Sequence, residues 1–308
     1  MDFLDKALEK AKAAKPQAGK PQAEEGPTSP GLREVVPPTP PPLSGAGAAV
    51  GEILYTTTRT VPVNADWLRS QRIVTGASDD KVGEAYKLLR TQILHRTKAD
   101  NKNLLMLTGP QPGEGKTLTA INLAVSLSQE IDKTVLLVDA DLRRPTIHEY
   151  LGLPAGPGLG DYLTGAKTIP ELLVHPEGFG KFVILPGGRP IAEAAELISS
   201  PMMMELVEEL KHFYPDRYVL FDLPPMLSFA DALAFAPLVD GIILVVEKGK
   251  TPREDIQRCL ELLKDFPLLG TVLNKVSVTD SGYYYYPEYQ RHNERPADKK
   301  SWWGWLRR

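Results

Sequence analysis

The segment TGPQPGEGKT at residues 108–117 combines glycines, a lysine and a threonine in an order that suits phosphate binding. Glycines tolerate a tight turn that points backbone N–H groups inward, and a helix beginning at the lysine adds a partial positive charge. Lys116 is predicted to reach the β- and γ-phosphates of a nucleotide, and Thr117 to offer its hydroxyl to Mg²⁺. Pro110 stands where the usual pattern has its first glycine. The nucleotide-binding residues predicted in this loop are Gly113, Glu114, Gly115, Lys116, Thr117 and Leu118.

Aspartates follow two apolar runs at points where buried strands are expected to end. Asp139 and Asp141 lie in VLLVDADLRRP, and Asp222 lies in YVLFDLPP. Carboxyl ends of parallel strands meet at one edge of a sheet, and ligands bind there. Because Mg²⁺ keeps several waters and takes few carboxylates, Asp139 and Asp222, together with Thr117, are predicted to hold the metal. Asp141 is then available to accept a proton from an attacking hydroxyl, and with Lys116 the three aspartates form the predicted catalytic set.

The elements that must position these residues are continuous apolar runs separated by helical stretches. Continuous rather than alternating apolar runs are typical of strands that are buried on both faces, and strands alternating with helices indicate a parallel, doubly wound sheet. The predicted fold is therefore α/β, with a doubly wound, mostly parallel sheet of the P-loop nucleoside triphosphatase type. The predicted strands are 104–107, 134–138, 181–185, 218–222, 241–246 and 268–274, and the predicted helices are 116–130, 145–151, 191–212 and 252–265.

Composition divides the chain of 308 residues into four parts. Residues 1–14 are predicted to form a short helix, either a fraying terminus or a docking helix. Residues 15–60 are rich in Pro, Ala and Gly and have too few large apolar groups to order, so we expect a disordered linker. Residues 61–278 form the predicted globular domain. Residues 279–308 are expected to be a flexible tail.

Charge and cysteine content exclude several classes of protein. A formal net charge of -3 provides no global basic field, so nucleic acid is not an expected partner. The single cysteine, Cys259, excludes a disulfide framework and a cysteine-based zinc cage. No apolar run approaches the roughly 18–20 residues that span a bilayer, and the first residues lack a signal-peptide pattern. A cytoplasmic protein is predicted, with any membrane contact peripheral or through a partner.

These motifs together resemble the bacterial tyrosine kinases, the P-loop autokinases of exopolysaccharide and capsule systems. The resemblance is carried by PGEGKT, VDADLRRP, FDLPP and the tyrosine-rich GYYYYPEY at 282–289. It implies ATP-dependent phosphorylation of the protein's own tyrosines, with Mg²⁺ as the metal and regulation of polysaccharide polymerisation or export. It also implies that Asp141 activates the tyrosine hydroxyl and that Asn274, in TVLNKV, contacts adenine.

The same resemblance implies a set of partners and a place in the cell. The expected partners are a membrane protein of the chain-length-determinant type that activates the kinase, further copies of the chain, and a phosphotyrosine phosphatase. The protein is accordingly expected at the inner face of the cell membrane, held there by its partner. A family oligomerisation motif, E-x-x-R-x-x-R, is matched by Glu84, Lys87 and Arg90, with lysine for the first arginine. The alternative for these three residues is a solvated helix face.

The tail contains the residues expected to accept phosphate, Tyr283, Tyr284, Tyr285, Tyr286 and Tyr289. Flanking Ser, Gly, Pro and Glu favour a loop over a buried strand, although packing of the rings remains the alternative. The last ten residues, KKSWWGWLRR, mix tryptophans with basic residues. That composition suits contact with lipid or a partner, and equally a patch folded back on the domain.

A second function fits the phosphate loop without kinase activity. A MinD/ParA-type ATPase is a nucleotide-dependent switch that positions cargo, but its extra signature lysine would align with Gln111. DADLRRP and the tyrosine run favour the kinase. A scaffold without enzymatic activity is a third class, and the intact GKT with three acids argues against it.

Overall fold

The computed structural model describes residues 58–75, 81–213 and 216–277. The predicted N-terminal helix, most of the predicted linker and the whole tyrosine- and tryptophan-containing tail lie outside these residues. The strands are β1 (Arg59–Val61), β2 (Leu104–Thr108), β3 (Thr134–Asp139), β4 (Val174–Pro176), β5 (Phe182–Leu185), β6 (Arg217–Asp222), β7 (Gly241–Glu247) and β8 (Leu268–Asn274). The helices are α1 (Ala65–Ser70), α2 (Lys81–Thr97), α3 (Lys116–Ser128), α4 (Ile147–Tyr150), α5 (Leu159–Leu163), α6 (Ile169–Leu172), α7 (Ala194–Ile198), α8 (Pro201–Phe213), α9 (Asp231–Phe235) and α10 (Arg253–Leu262).

The strands form one eight-stranded sheet in the order β1-β4-β5-β3-β6-β2-β7-β8. All neighbours are parallel except β4 and β5, which are antiparallel. The doubly wound, mostly parallel sheet predicted from the sequence is therefore confirmed. Because β1 runs parallel to β4, it runs opposite to the central strands, and its first residue lies toward their carboxyl ends.

The six predicted strands are all present, and two short ones were missed. β1 and β4 have three residues each, too few for an apolar run to be recognised. β1 forms by pairing with β4, a partner more than a hundred residues away in the sequence. It begins at Arg59, so the sheet takes in two residues that the sequence assigned to the linker.

Helices cover the sheet on both faces and create two apolar cores. One core contains residues of α1 to α4 packed on the sheet, and the other contains residues of α5 to α10. The central strands β2, β3 and β6 contribute to both cores, and β2 is buried along its whole length. This arrangement explains why the strand sequences are continuously apolar.

The helix predicted over 191–212 is two helices, α7 and α8. The first helix ends before Ser199 and Ser200, and Pro201 begins the second. Proline is tolerated there because the N–H groups of the first helical turn have no partner within the helix. The Ser200 hydroxyl accepts a hydrogen bond from the Met203 N–H at 3.2 Å and so caps α8. Among the described residues, the helices are too short or too polar to cross a bilayer.

Candidate active site

The phosphate loop connects the buried end of β2 to the start of α3. Gly113 and Gly115 adopt φ values of 81° and 87°, in the left-handed region that favours glycine. A Cβ atom at Gly115 would lie 2.3 Å from the Asn274 side-chain nitrogen. Glycine at position 115 is therefore required by both the turn and its neighbour. The loop closes at the N-terminus of a thirteen-residue helix, whose partial positive charge faces the site.

Lys116 folds back over this loop. Its ammonium group donates a hydrogen bond to the Gln111 carbonyl at 3.0 Å, and the side chain is only 7% exposed. Burial lowers the pKa of Lys116, and the charges of Asp222, Glu114 and Asp141 oppose that shift. The lysine is therefore held close to acidic groups on three different segments, above the cradle formed by the loop.

Glu114, predicted to bind nucleotide, has its side chain turned into the protein. The carboxylate accepts hydrogen bonds from the Gln111 N–H at 2.9 Å and from the Thr251 hydroxyl at 2.6 Å. With 2% exposure, it ties the loop to itself and to the segment after β7. The side chain of Glu114 thus holds the phosphate loop in shape through these bonds, and its part in nucleotide binding stays a prediction.

The end of β8 is bonded to the same loop. The Asn274 amide, predicted to contact adenine, donates to the Glu114 carbonyl at 2.9 Å. Lys275 donates to the Gly113 carbonyl at 2.7 Å and to Glu247 at 2.9 Å, and this contact lowers the pKa of Glu247. Sequence reasoning missed Lys275, because neither its left-handed backbone conformation, with φ of 57°, nor its partner on the loop can be recognised from neighbouring residues. These bonds place the end of the described chain beside the phosphate loop.

Asp139 and Asp222 lie opposite each other in the register of β3 and β6. Both are almost fully buried, and one oxygen of each carboxyl, Oδ1, has no hydrogen-bond partner. Burial and the neighbouring Asp222 charge hold the pKa of Asp139 well above its usual range, and burial with the Asp141 charge raises the pKa of Asp222 to about 7. Two buried acids with unused oxygens are costly unless a cation joins them.

The donor set fits a magnesium ion. The Thr117 side chain hydrogen-bonds to Asp222, and this bond opposes the rise in the pKa of that carboxyl group. An oxygen from α3 thus lies beside the two carboxyl groups. In the described part of the chain, groups of three His, Cys, Asp or Glu that could hold a metal are absent. Mg²⁺ does not need such a group, because it keeps several waters and binds through one or two carboxylates.

We expect Asp222→Asn to raise the unfolding free energy of the metal-free protein, and to raise it more at alkaline pH than at acidic pH. Because the folded pKa of Asp222 is raised to about 7, its contribution to stability is lost as pH rises from the unfolded pKa through the folded one. Asparagine removes this loss, so the gain in unfolding free energy should be larger by about 2 kcal/mol near about pH 8.5 than near about pH 5.5. Chemical denaturation in the presence of EDTA at both pH values measures this difference in unfolding free energy. Asp240→Asn is the control, since Asp240 already pairs with Lys211, and an equal gain there would contradict the explanation.

Asp141 lies on the turn that follows β3. Its carboxylate accepts the Arg144 N–H at 3.0 Å, and burial raises its pKa against the opposing effect of that bond and of Lys116. The charge of Asp141 in turn acts on the pKa of Asp222. The structure therefore brings Lys116, Thr117, Asp139, Asp141 and Asp222 to one edge of the sheet.

The three residues predicted as an oligomer interface do not share one environment. Glu84 and Lys87 pair with each other at 2.7 Å on the surface of α2. Arg90 instead turns toward α3, where it donates to the Ser126 carbonyl at 2.9 Å and pairs with Glu130 at 2.9 Å. Its side chain is 17% exposed. A role of Glu84 and Lys87 in assembly stays a prediction, whereas Arg90 has partners within its own chain.

Arg90→Ala should therefore destabilise the isolated chain. Losing a charged hydrogen bond and an ion pair at a largely buried position is expected to cost about 2 kcal/mol of unfolding free energy. Lys87→Ala removes the surface pair with Glu84 and should change stability by less than about 0.5 kcal/mol. Chemical denaturation of both variants, with light scattering to follow assembly, separates the two roles. Equal stability of both variants would show that the Arg90 contacts contribute nothing.

The tyrosines predicted to accept phosphate, Tyr283 to Tyr286 and Tyr289, lie outside the described residues. Their role stays a prediction. The described chain ends at Ser277, six residues before the first of them.

Comparison with known proteins identifies the group to which the chain is related. Residues 105–301 match the family described as the CobQ/CobB/MinD/ParA nucleotide binding domain. Tyrosine-protein kinase YwqD of Bacillus subtilis (strain 168) is 36% identical over 223 residues, covering 70% of this chain and 92% of that protein. The chain belongs to the bacterial tyrosine-protein kinases.

Several other bacterial tyrosine-protein kinases are matched over only part of their length. Tyrosine-protein kinase ptk of Acinetobacter johnsonii is 31% identical over 208 residues, but the match covers 67% of this chain and 28% of that protein. Among solved structures, the kinase domain of Escherichia coli tyrosine kinase ETK has a TM-score of 0.63 and 29% identity, and covers 74% of this chain and 93% of that one. The chain thus matches the kinase domain of longer relatives. MinD and ParA share the wider nucleotide-binding family and are distant relations of this tyrosine-protein kinase.

Proposed function

We propose that the protein is an ATP-dependent protein-tyrosine autokinase that phosphorylates its C-terminal tyrosine cluster. The observation that carries the proposal is the meeting of the phosphate-loop residues Lys116 and Thr117 with three aspartates at one sheet edge. Membership of the bacterial tyrosine-protein kinases supports tyrosine as the acceptor. An ordinary phosphate loop would need no third acid beside the two buried ones.

Each residue has a proposed part in the transfer. The phosphate loop and the N-terminus of α3 bind the phosphates, and Lys116 balances the charge of the γ-phosphate. Asn274, near the loop, is proposed to contact the adenine ring. Thr117, Asp139 and Asp222 would hold Mg²⁺, which supplies charge neutralisation between the β- and γ-phosphates.

The transfer itself exchanges one phosphorus–oxygen bond for another. The tyrosine oxygen bonds to the γ-phosphorus, and the bond from that phosphorus to the oxygen shared with the β-phosphate breaks, which releases ADP. The hydroxyl proton passes to the Asp141 carboxylate. Asp141 suits this step because burial raises its pKa, so that it is a stronger base than an exposed aspartate.

We further propose that the kinase acts in exopolysaccharide polymerisation or export, with a membrane activator as partner. A relative of 31% identity is named succinoglycan biosynthesis transport protein ExoP, from Rhizobium meliloti (strain 1021), and this chain covers 28% of it. The chain also matches the structure of the chimerical protein CapA2B2, with a TM-score of 0.61 and 25% identity. We also propose that copies of the chain associate, and that phosphates added to adjacent tyrosines repel one another and disperse the assembly. A phosphotyrosine phosphatase would then remove the phosphates and allow the copies to associate again.

Phosphosite mapping tests the proposed activity. The full chain, purified from a host without tyrosine kinases, is incubated with ATP and Mg²⁺ and then analysed by mass spectrometry. Phosphate is expected on the tyrosine cluster, and the matched sample with EDTA should carry none. Nucleotide hydrolysis without phosphotyrosine, with or without a membrane activator's cytosolic segment, would favour the switch over the kinase.

A further inference from the structure

Asp231 is a buried acid that the proposed mechanism does not use. It is the first residue of α9 and is 1% exposed. The Arg143 guanidinium binds it through two parallel contacts, Nε to Oδ2 at 2.7 Å and Nη2 to Oδ1 at 3.1 Å. A paired, bidentate geometry of this kind fixes the orientation of both side chains.

Arg143 belongs to the turn that carries Asp141. Besides Asp231, it donates to the Ala192 carbonyl at 3.2 Å, and its guanidinium lies 4.6 Å from the centroid of the Phe229 ring. The arginine thus joins the turn after β3, the segment before α7 and the segment after β6. Its side chain is 27% exposed while its partner is buried, so the pair closes the surface over the turn.

The rest of the turn has few other attachments on this side. Leu142 is fully buried, and its carbonyl accepts the Ile191 N–H at 2.8 Å. Asp141 accepts the Arg144 N–H within the turn itself. Neither bond reaches α9, so among the described contacts of the turn the link we find between the proposed base and the segment after β6 is the Arg143 side chain, which bonds to Asp231 and lies over the Phe229 ring.

We propose that Asp231 is a positioning residue that holds Asp141 in place through Arg143. The carboxylate orients the guanidinium, the guanidinium fixes the turn, and the turn sets where the proposed base meets the acceptor hydroxyl. This inference rests on the proposed kinase function for its effect on rate. A small displacement of a catalytic group is enough to lower a rate by about 10- to 100-fold.

Asp231→Asn tests this role in the full chain. The variant should lower kcat for phosphotyrosine formation by about 10- to 100-fold and leave KM for ATP unchanged, because the phosphate loop is untouched. Arg143→Lys keeps the charge and loses the fork, so it should lower kcat in the same way. Normal kcat in Arg143→Lys would overturn the proposal, because charge alone would then be enough.

A matched control separates positioning from general loss of stability. Asp240 also pairs with a basic side chain, Lys211 at 2.6 Å, but lies at the opposite ends of the strands. Asp240→Asn should destabilise the fold without changing kcat, with all variants assayed well below their melting temperatures. A fall in kcat equal to that of Asp231→Asn would overturn the proposal.

Hydrogen exchange provides a readout that does not depend on kinase activity. In Asp231→Asn, the amides of Arg144 and Ile191 should exchange faster, since both bond to the turn. Unchanged exchange of both amides would overturn the inference. If the wild-type chain makes no phosphotyrosine while these amides respond as expected, the proposed function fails and the positioning of the turn stands.

Discussion

Lys116→Met is expected to lower the rate of phosphotyrosine formation by about a thousandfold. Methionine has a similar length but carries no charge, so the γ-phosphate loses the cation that balances its charge in the transition state. The structure supports this role because Lys116 lies among Asp141, Asp222 and the phosphate loop. Quantitative mass spectrometry of phosphotyrosine after timed incubation with ATP and Mg²⁺ measures the effect.

Two variants show whether the loss belongs to this lysine. Lys250→Met changes a side chain that is 70% exposed near the same loop, and its rate should equal that of the wild type. Asp141→Asn should lose transfer while still binding a fluorescent ADP analogue, because it removes the proton acceptor alone. Normal phosphotyrosine in both Lys116→Met and Asp141→Asn would disprove the proposed mechanism.

Replacing the five clustered tyrosines with phenylalanine should remove nearly all phosphate from the chain. The last described residues lie beside the phosphate loop, since Lys275 bonds to the Gly113 carbonyl. Seven positions separate Val276 from Tyr283, at most about 23 Å of extended chain, so the cluster begins within reach of an active site. Intact mass measurement before and after incubation with ATP gives the number of phosphates.

Single replacements should have small effects by comparison. Tyr283 to Tyr286 are consecutive, so a segment that slides by one residue presents nearly the same chemistry to the site. Each single phenylalanine variant should therefore lower total phosphate only modestly. The fivefold variant should bind nucleotide normally. Heavy phosphorylation of that variant at Tyr162 or another tyrosine would show that the cluster is not the main acceptor.

Local sequence patterns were enough to predict six of the eight strands and the phosphate loop. Buried parallel strands require continuous apolar runs, and a phosphate loop requires glycine at positions with positive φ, so both leave a mark on adjacent residues. Asp139 and Asp222 followed from the same logic, because acids at strand ends meet at one edge. The division of 191–212 into two helices was missed, although Pro201 is a residue that favours the start of a helix.

Contacts between distant residues were not readable in this way. Asp231 and Arg143 are 88 positions apart, and nothing near either residue names the other. Arg90 looked like a surface residue by its spacing, but a long side chain can turn toward a neighbouring helix, as it does toward Ser126. Glu114 likewise sits in the loop motif while its carboxylate faces inward. These partners meet because of the order of strands and helices in the fold, which cannot be predicted from the spacing of residues within one motif.

The antiparallel direction of β1 has a consequence for how the protein can be held. β1 begins, and β8 ends, toward the same rim of the sheet, the rim that carries the phosphate loop. Eight strands leave seven gaps of about 4.8 Å, so the two points lie about 34 Å apart along the sheet. A partner that binds the chain both before β1 and after β8 is therefore attached at two points of the same rim. Such an attachment leaves Lys211 and Asp240 at the opposite rim, where a label would report the orientation of the domain without touching the phosphate loop.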